Sequence, residues 1–192
     1  TTLHAHCDAV IVHSRKSATQ LTSWQDGTGY YIDIVPTGVD VLPQPTAAQL
    51  AAFKKKWGIS PKDEVVLFVG RLSAEKNLDM LIDMLAELVK TRPHAKLMYV
   101  GDFGYRPMLE EKAQESTVAD RIIFTGRLPR EELGLVYAAA HVFAFPSLTD
   151  TQGLVLHEAA LAGLPIVMID EPVTEVVYEG ENGLFCRDDP GN

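Results

Sequence analysis

Between Phe145 and Ile169 the chain reads FPSLTDTQGLVLHEAALAGLPIVMI. A short apolar run, Val142 to Phe145, leads into a polar loop, Pro146 to Thr151. A helical pattern follows from Gly153 to Ala162. Gly163-Leu164-Pro165 ends it, and a second apolar run follows, Ile166 to Ile169. Strand, loop, helix, turn and strand make the repeating unit of a parallel sheet. In such sheets the loop lies where a strand's carboxyl end meets a helix amino terminus. Ligands of open α/β sheets bind there, and the free N–H groups favour anions. Asp150 lies in the loop and Glu158 eight residues on. Both acids can face one ligand, and a sugar or ribose suits them because its hydroxyls need acceptors.

The same alternation runs through the rest of the chain. Ala9 to His13 reads as a strand, Arg15 to about Trp24 as a helix, Gln25 to Tyr30 as a loop and Tyr31 to Val35 as a strand. After the turn Pro36 to Gly38 and a Pro-rich stretch, Val41 to Thr46, a helix is expected over Ala47 to Trp57. Strands are expected at Val65 to Val69, Lys96 to Val100 and Arg121 to Phe124. Helices are expected at Lys76 to Thr91, Tyr105 to Thr117 and Glu131 to Ala140, with a short one near Glu171 to Tyr178 before Gly183 to Cys186. Continuous apolar strands separated by helices predict an α/β fold, a doubly wound parallel sheet covered on both faces.

Length and composition bound the function. With 192 residues the chain holds one good-sized domain, or one and a piece. A net charge of −9 argues against a nucleic-acid partner or an anionic-membrane surface on this stretch. Cys7 and Cys186 sit near opposite ends with neither metal spacing nor a disulfide framework, which fits a cytoplasmic setting. No run approaches the about 18 apolar residues of a membrane-spanning helix. The dinucleotide G-x-G-x-x-G, the phosphate loop and the nucleophile elbow are all missing from the sequence.

A second motif, Gly70-Arg71-Leu72-Ser73-Ala74-Glu75-Lys76-Asn77, follows the strand Val65 to Val69. Gly70 permits a sharp exit. Lys76 falls in or near a first helical turn, where the dipole disfavours a cation and a bound anion would relieve it. Taken alone, Arg71 and Lys76 read as solvated surface charges.

Together the segments resemble the family 4 (group 1) retaining glycosyltransferases of the GT-B fold. The frame Pro146, Ser147, Asp150, Gly153, Leu154, Glu158, Ala159, Gly163 and Pro165 carries the likeness, as do GRLSAEKN and IVPTGVD. Asp150 stands where that family usually has Glu, Gln152 where an aromatic is common, and Thr37 where Asn is usual. The resemblance implies that residues 1–38 are the end of the amino-terminal acceptor domain plus the interdomain segment. Residues 39–192 are then the Rossmann-like donor-binding domain, with the final crossover helix and most of the acceptor domain outside the chain.

By the same resemblance Arg71 and Lys76 would hold the leaving diphosphate, beside Gly70. Asp150 and the backbone of Thr151, Gln152, Gly153 and Leu154 would meet sugar and phosphate, while Glu158 would accept from the ribose hydroxyls. Asp150 also reads as a helix cap. Gly101-Asp102-Phe103-Gly104 reads equally as a sugar-pocket loop or a turn, and Phe124 and Arg127 lie in a segment resembling the nucleobase side. Arg127 is there either a stacking group or a surface charge, and His157 reads as structural.

The implied activity is transfer of a hexose, with retention and without metal, from a UDP- or GDP-linked sugar. The acceptor would be a lipid or saccharide bound by the acceptor domain. No cofactor is implied beyond that substrate. For the whole protein, peripheral association with the inner face of the membrane is an expectation. Two other functions stay open: a non-catalytic nucleotide-binding or scaffold module of the same fold, and a related phosphorylase or sugar-nucleotide epimerase.

Overall fold

The apolar runs become the strands of two parallel sheets. The computed structural model describes residues 7–24, 30–169, 173 and 175–187. In chain order the elements are β1 (Ala9–Val12), α1 (Arg15–Ser23), β2 (Tyr31–Ile34), α2 (Ala47–Lys56), β3 (Glu64–Val69) and α3 (Asp79–Leu88). There follow β4 (Ala95–Val100), α4 (Arg106–Glu115), β5 (Ile122–Gly126), α5 (Arg130–Ala139), β6 (Val142–Phe145), α6 (Leu154–Leu161), β7 (Ile166–Met168) and β8 (Gly183–Phe185). Strands β1 and β2 pair with each other alone. The other six form one parallel sheet in the order β5-β4-β3-β6-β7-β8.

That order follows from chain direction and handedness. From β3 the chain steps outward to β4 and β5, with α3 and α4 on one face. It then returns past β3 to β6, β7 and β8, with α5 and α6 on the other face. Right-handed crossovers going opposite ways must lie on opposite faces, which gives the doubly wound form. Strand β3 shows the result residue by residue. Val65, Leu67 and Val69 point into the core shared with α2, α5 and α6, while Val66 and Phe68 point into the one shared with α3 and α4. Burying each such side chain contributes about 1.5–3 kcal/mol.

Two sequence expectations are corrected. The helix expected from Lys76 begins only at Asp79. Ser73 to Lys76 instead make a one-turn 3₁₀ segment, ended by Asn77 in the left-handed conformation (φ 55°). The segment expected as a short helix, Glu171 to Tyr178, lies partly outside the described residues; within it Val173 is in 3₁₀ conformation, while Glu175 to Tyr178 is bend and coil. Most of the loop expected from Gln25 to Tyr30 also lies outside the described residues. Elsewhere the ends shift by a few residues, as helix ends fray and definitions differ.

At the carboxyl ends of β3 and β4 the backbones nearly touch. Gly101 has φ 139°, and a Cβ there would come within 1.9 Å of the Gly70 carbonyl oxygen. The Gly70 N–H donates to Val100 and the Gly101 N–H to Gly126, which fixes both exits. Gly101→Ala is expected to lower stability by about 3 kcal/mol or more, through the clash and the backbone strain together. A denaturant melt checks this, and an unchanged midpoint would show that the two turns can part.

Candidate functional site

Strands β3 and β6 are adjacent in the sheet, and the chain leaves them in opposite directions. Their carboxyl ends therefore open into a crevice, the switch point at which open α/β sheets take their ligands. The cavity there measures about 450 Å³. Gly70, Arg71 and Lys76 wall it after β3, and Asp150, Thr151, Gln152, Gly153 and Leu154 after β6. The two motifs, about 75 residues apart in sequence, thus meet at one cavity. Thr37 of the IVPTGVD segment and His13, which was not expected there, also line it.

Lys76 is buried, and its Nζ lies 2.7 Å from Asp150 Oδ1, the two side chains being 10% and 23% exposed. The 3₁₀ turn ended by Asn77 carries the lysine into the crevice, before α3 begins at Asp79. Arg71 lies nearer the solvent. Its guanidinium sits 3.4 Å from Glu75 and 5.4 Å from the centre of the Phe103 ring.

The loop after β6 has an unusual number of unpartnered polar atoms. Asp150 Oδ2, Gln152 Nε2 and Ser147 Oγ are buried without a hydrogen bond among the described residues. Ser147 is fully buried and Gln152 nearly so. An unmade hydrogen bond in a buried site costs about 1–3 kcal/mol, so three within six residues point to a polar ligand or ordered water. Gly153 takes the N-cap position of α6 at φ 62°, with no side chain capping the helix. Asp150 is therefore not the helix cap that its place in the sequence also suggested. The first N–H groups of α6 have no intrahelical partner.

The loop is braced from the first sheet. Ser14 caps α1 by accepting from the Ser17 N–H, and its hydroxyl also donates to the Thr151 carbonyl. Lys16 Nζ donates to the Leu148 carbonyl at 3.3 Å.

The remaining expected residues lie elsewhere. Glu158 does not share the cavity with Asp150. It lines a neighbouring cleft of about 90 Å³ between α5, α6 and the segment Asp40 to Gln44. Tyr137 donates to its Oε2 at 2.8 Å, and Arg130 Nη1 lies 3.6 Å from its Oε1. Phe124 is half-buried and stacked on Tyr99 at 5.1 Å, so its ring belongs to the core. Arg127 is exposed outside the cavity. Gly101 acts through its close approach to Gly70. His157 Nδ1 lies 3.5 Å from the Gly153 carbonyl, in keeping with a structural place.

A larger hollow of about 540 Å³, between α3 and the face of β6 to β8, is walled almost wholly by apolar side chains such as Met80, Met84 and Leu184. It contains none of the charged residues above, and its size alone does not make it the chemical site. Among the described residues, no three or more His, Cys, Asp or Glu side chains are grouped to hold a metal ion. No helix among them is long and apolar enough to cross a membrane.

Fold and cavity together define a doubly wound α/β domain with a polar cavity at the switch point. The chain belongs to the glycosyl transferases group 1, whose family model matches residues 51–190. It is 31% identical over 186 residues to an alpha-monoglucosyldiacylglycerol synthase of Acholeplasma laidlawii, covering 94% of this chain and 46% of that protein. It is 32% identical over 191 residues to a D-inositol 3-phosphate glycosyltransferase of Nocardia farcinica, covering 95% and 42%. Anabaena HepE, solved in complex with UDP-glucose, superposes with a TM-score of 0.83 at 25% identity, covering 96% of this chain and 51% of that one. The fold is thus the Rossmann-like one of GT-B glycosyltransferases, and the chain spans about half the length of the relatives it matches.

Lys76→Met leaves the Asp150 carboxylate half-enclosed without its cation, and is expected to lower stability by about 3 kcal/mol. Adding Asp150→Asn should recover part of that loss. Strictly additive losses in this double-mutant cycle would show that solvent already screens the pair.

Proposed function

We propose that this chain is the donor-binding part of a retaining glycosyltransferase. Residues 39–192 bind the nucleotide-diphosphate sugar, and residues 1–38 belong to the acceptor side and the interdomain segment. The unpartnered Asp150 Oδ2 and Gln152 Nε2, on residues that line the cavity together with Lys76, carry this reading. A diphosphate entering between Arg71 and Lys76 would draw the lysine from Asp150. The freed carboxylate and the Gln152 amide then become an acceptor and a donor for neighbouring sugar hydroxyls.

As the glycosidic bond to the diphosphate breaks, negative charge grows on the leaving phosphate. Two cations already in place stabilise it without reorganisation. Retention then follows from attack by the acceptor on the face that the leaving group vacates, with the diphosphate taking up the acceptor's proton. No protein nucleophile is needed, and the protein supplies the charge balance without a metal. The acceptor is a lipid or a saccharide, in keeping with the diacylglycerol and inositol phosphate in the names of the two relatives. A lipid acceptor brings the whole, cytoplasmic protein to the inner face of the membrane.

Glu158 favours a second reading in one respect, since its contacts with Tyr137 and Arg130 tie elements together as a scaffold would. Full activity of Glu158→Ala in the whole enzyme would support that non-catalytic role.

Calorimetric titration with UDP, GDP and ADP tests the proposal. One nucleoside diphosphate is expected to bind, and Lys76→Ala to weaken it by about 1–3 kcal/mol, the worth of a charged hydrogen bond. Binding indifferent to Lys76 would remove the diphosphate from this cavity.

A further inference from the structure

The Glu158 carboxylate is held unevenly. Its Oε2 accepts a 2.8 Å hydrogen bond from the Tyr137 hydroxyl, and both residues are buried. Among the described residues its Oε1 meets only the Arg130 guanidinium, at 3.6 Å, beyond a normal hydrogen bond. That guanidinium is half exposed and drawn the other way by Asp40, 3.0 Å from its other nitrogen. So one oxygen is fixed from inside the protein and the other is held loosely, on a residue that lines the cleft beside the Asp40 to Gln44 segment.

Tyr137 is well placed to do the fixing. Its ring lies 6.1 Å from that of Phe143 and is 1% exposed, so packing limits its rotation. Burial, and then the neighbouring Glu158 charge, hold the phenol proton far above its ordinary range, so the hydroxyl stays a donor. The facing backbone is equally constrained. Gly134, one turn before Tyr137 on α5, lies so close to Pro43 that a Cβ would come within 2.4 Å of that residue's carbonyl oxygen.

We propose that Tyr137 is a positioning residue for Glu158, pinning Oε2 so that Oε1 is presented to the paired hydroxyls of a ribose. The inference rests on the proposed donor-binding function, with Glu158 taking the ribose hydroxyls as the family resemblance implies. Without the phenol hydroxyl the carboxylate is free to turn and pair with Arg130 through both oxygens, a strong geometry that withdraws it from the cleft. The consequence is specific: binding of the diphosphate survives, and discrimination for the ribose hydroxyls does not.

The test uses the full-length protein with UDP, GDP and ADP, each beside its 2′,3′-dideoxy analogue. Wild type is expected to prefer the ribonucleotide by roughly tenfold to a hundredfold, the worth of hydrogen bonds to a charged group. Tyr137→Phe is expected to cut that preference by roughly tenfold, with the dideoxy affinity little changed. A merely structural role would weaken both nucleotides alike. A preference intact in Tyr137→Phe but lost in Glu158→Gln overturns the positioning role and leaves the donor site standing. No ribose preference in wild type, or no nucleotide binding at all, overturns the underlying reading as well. If Tyr137→Phe does not fold, the 13Cζ resonance of Tyr137 in wild type decides. It should shift with the ribonucleotide and not with the dideoxy form, and equal response to both overturns the proposal.

Discussion

Strand β3 is the constraint on which the rest of the molecule depends. It pairs on both edges, with β4 through six residue pairs and with β6 through two. Both of its faces are buried, and Val65 and Leu67 are wholly out of solvent. A strand in that position has no polar face to spare, so it must be a continuous apolar run, and Val65 to Val69 is one. Because β3 is also where the winding changes direction, its carboxyl end cannot be covered by a crossover helix from either side. The same hydrophobic demand that builds the sheet therefore leaves a hole in its upper rim.

What fills the rim is electrostatic, and it is dictated by the exits. Gly70 turns the chain away from β3 because nothing larger than Gly101 fits beside it. The chain then drops through a single 3₁₀ turn that delivers Lys76 into the crevice, with Asn77 accepting a left-handed conformation to restart the path into α3. The loop after β6 arrives from the opposite side carrying Asp150. Each buried charge makes the other tolerable, since a lone ammonium or carboxylate in that position would carry a large desolvation penalty. The pair couples two motifs 74 residues apart. Its second carboxylate oxygen has no hydrogen-bond partner among the described residues.

The alternation of apolar runs with helical segments was readable because the central strands β3 and β4 are buried almost throughout, and because a helix such as α2 carries its own cap in Thr46 and Gln49. The two motifs were readable for the same reason, being local strings at strand ends. What escaped depends on distance. Nothing in the neighbourhood of Ser14 announces its bond to Thr151, 137 residues away. His13 and Thr37 reach the cavity only because the two small strands are set beside the large sheet. Tyr137 lies within the helix expected at Glu131 to Ala140 and was not singled out, because its hydroxyl finds Glu158 only once α5 and α6 are side by side. The helix was expected to begin at Lys76 because Ala74, Glu75 and Lys76 favour helix, but Asn77 in the left-handed conformation breaks the path and the helix begins only at Asp79.

The separation of the two acids has a single geometric origin. Had the helix begun at Asp150, positions 150 and 158 would lie about 80° apart around it, near enough to share a ligand face. The helix begins instead at Leu154, after Gly153 reverses the chain in the left-handed conformation. Only α6 obeys helical periodicity, and it places Glu158 on the face of Leu161 and Ala162, looking toward the Asp40 to Gln44 segment. Asp150, on the far side of that reversal, looks toward β3. A ligand with two chemically different ends, charged near Lys76 and hydroxylated near Glu158, is what such a divided arrangement suits. One glycine between the two acids sets the distance over which it must stretch.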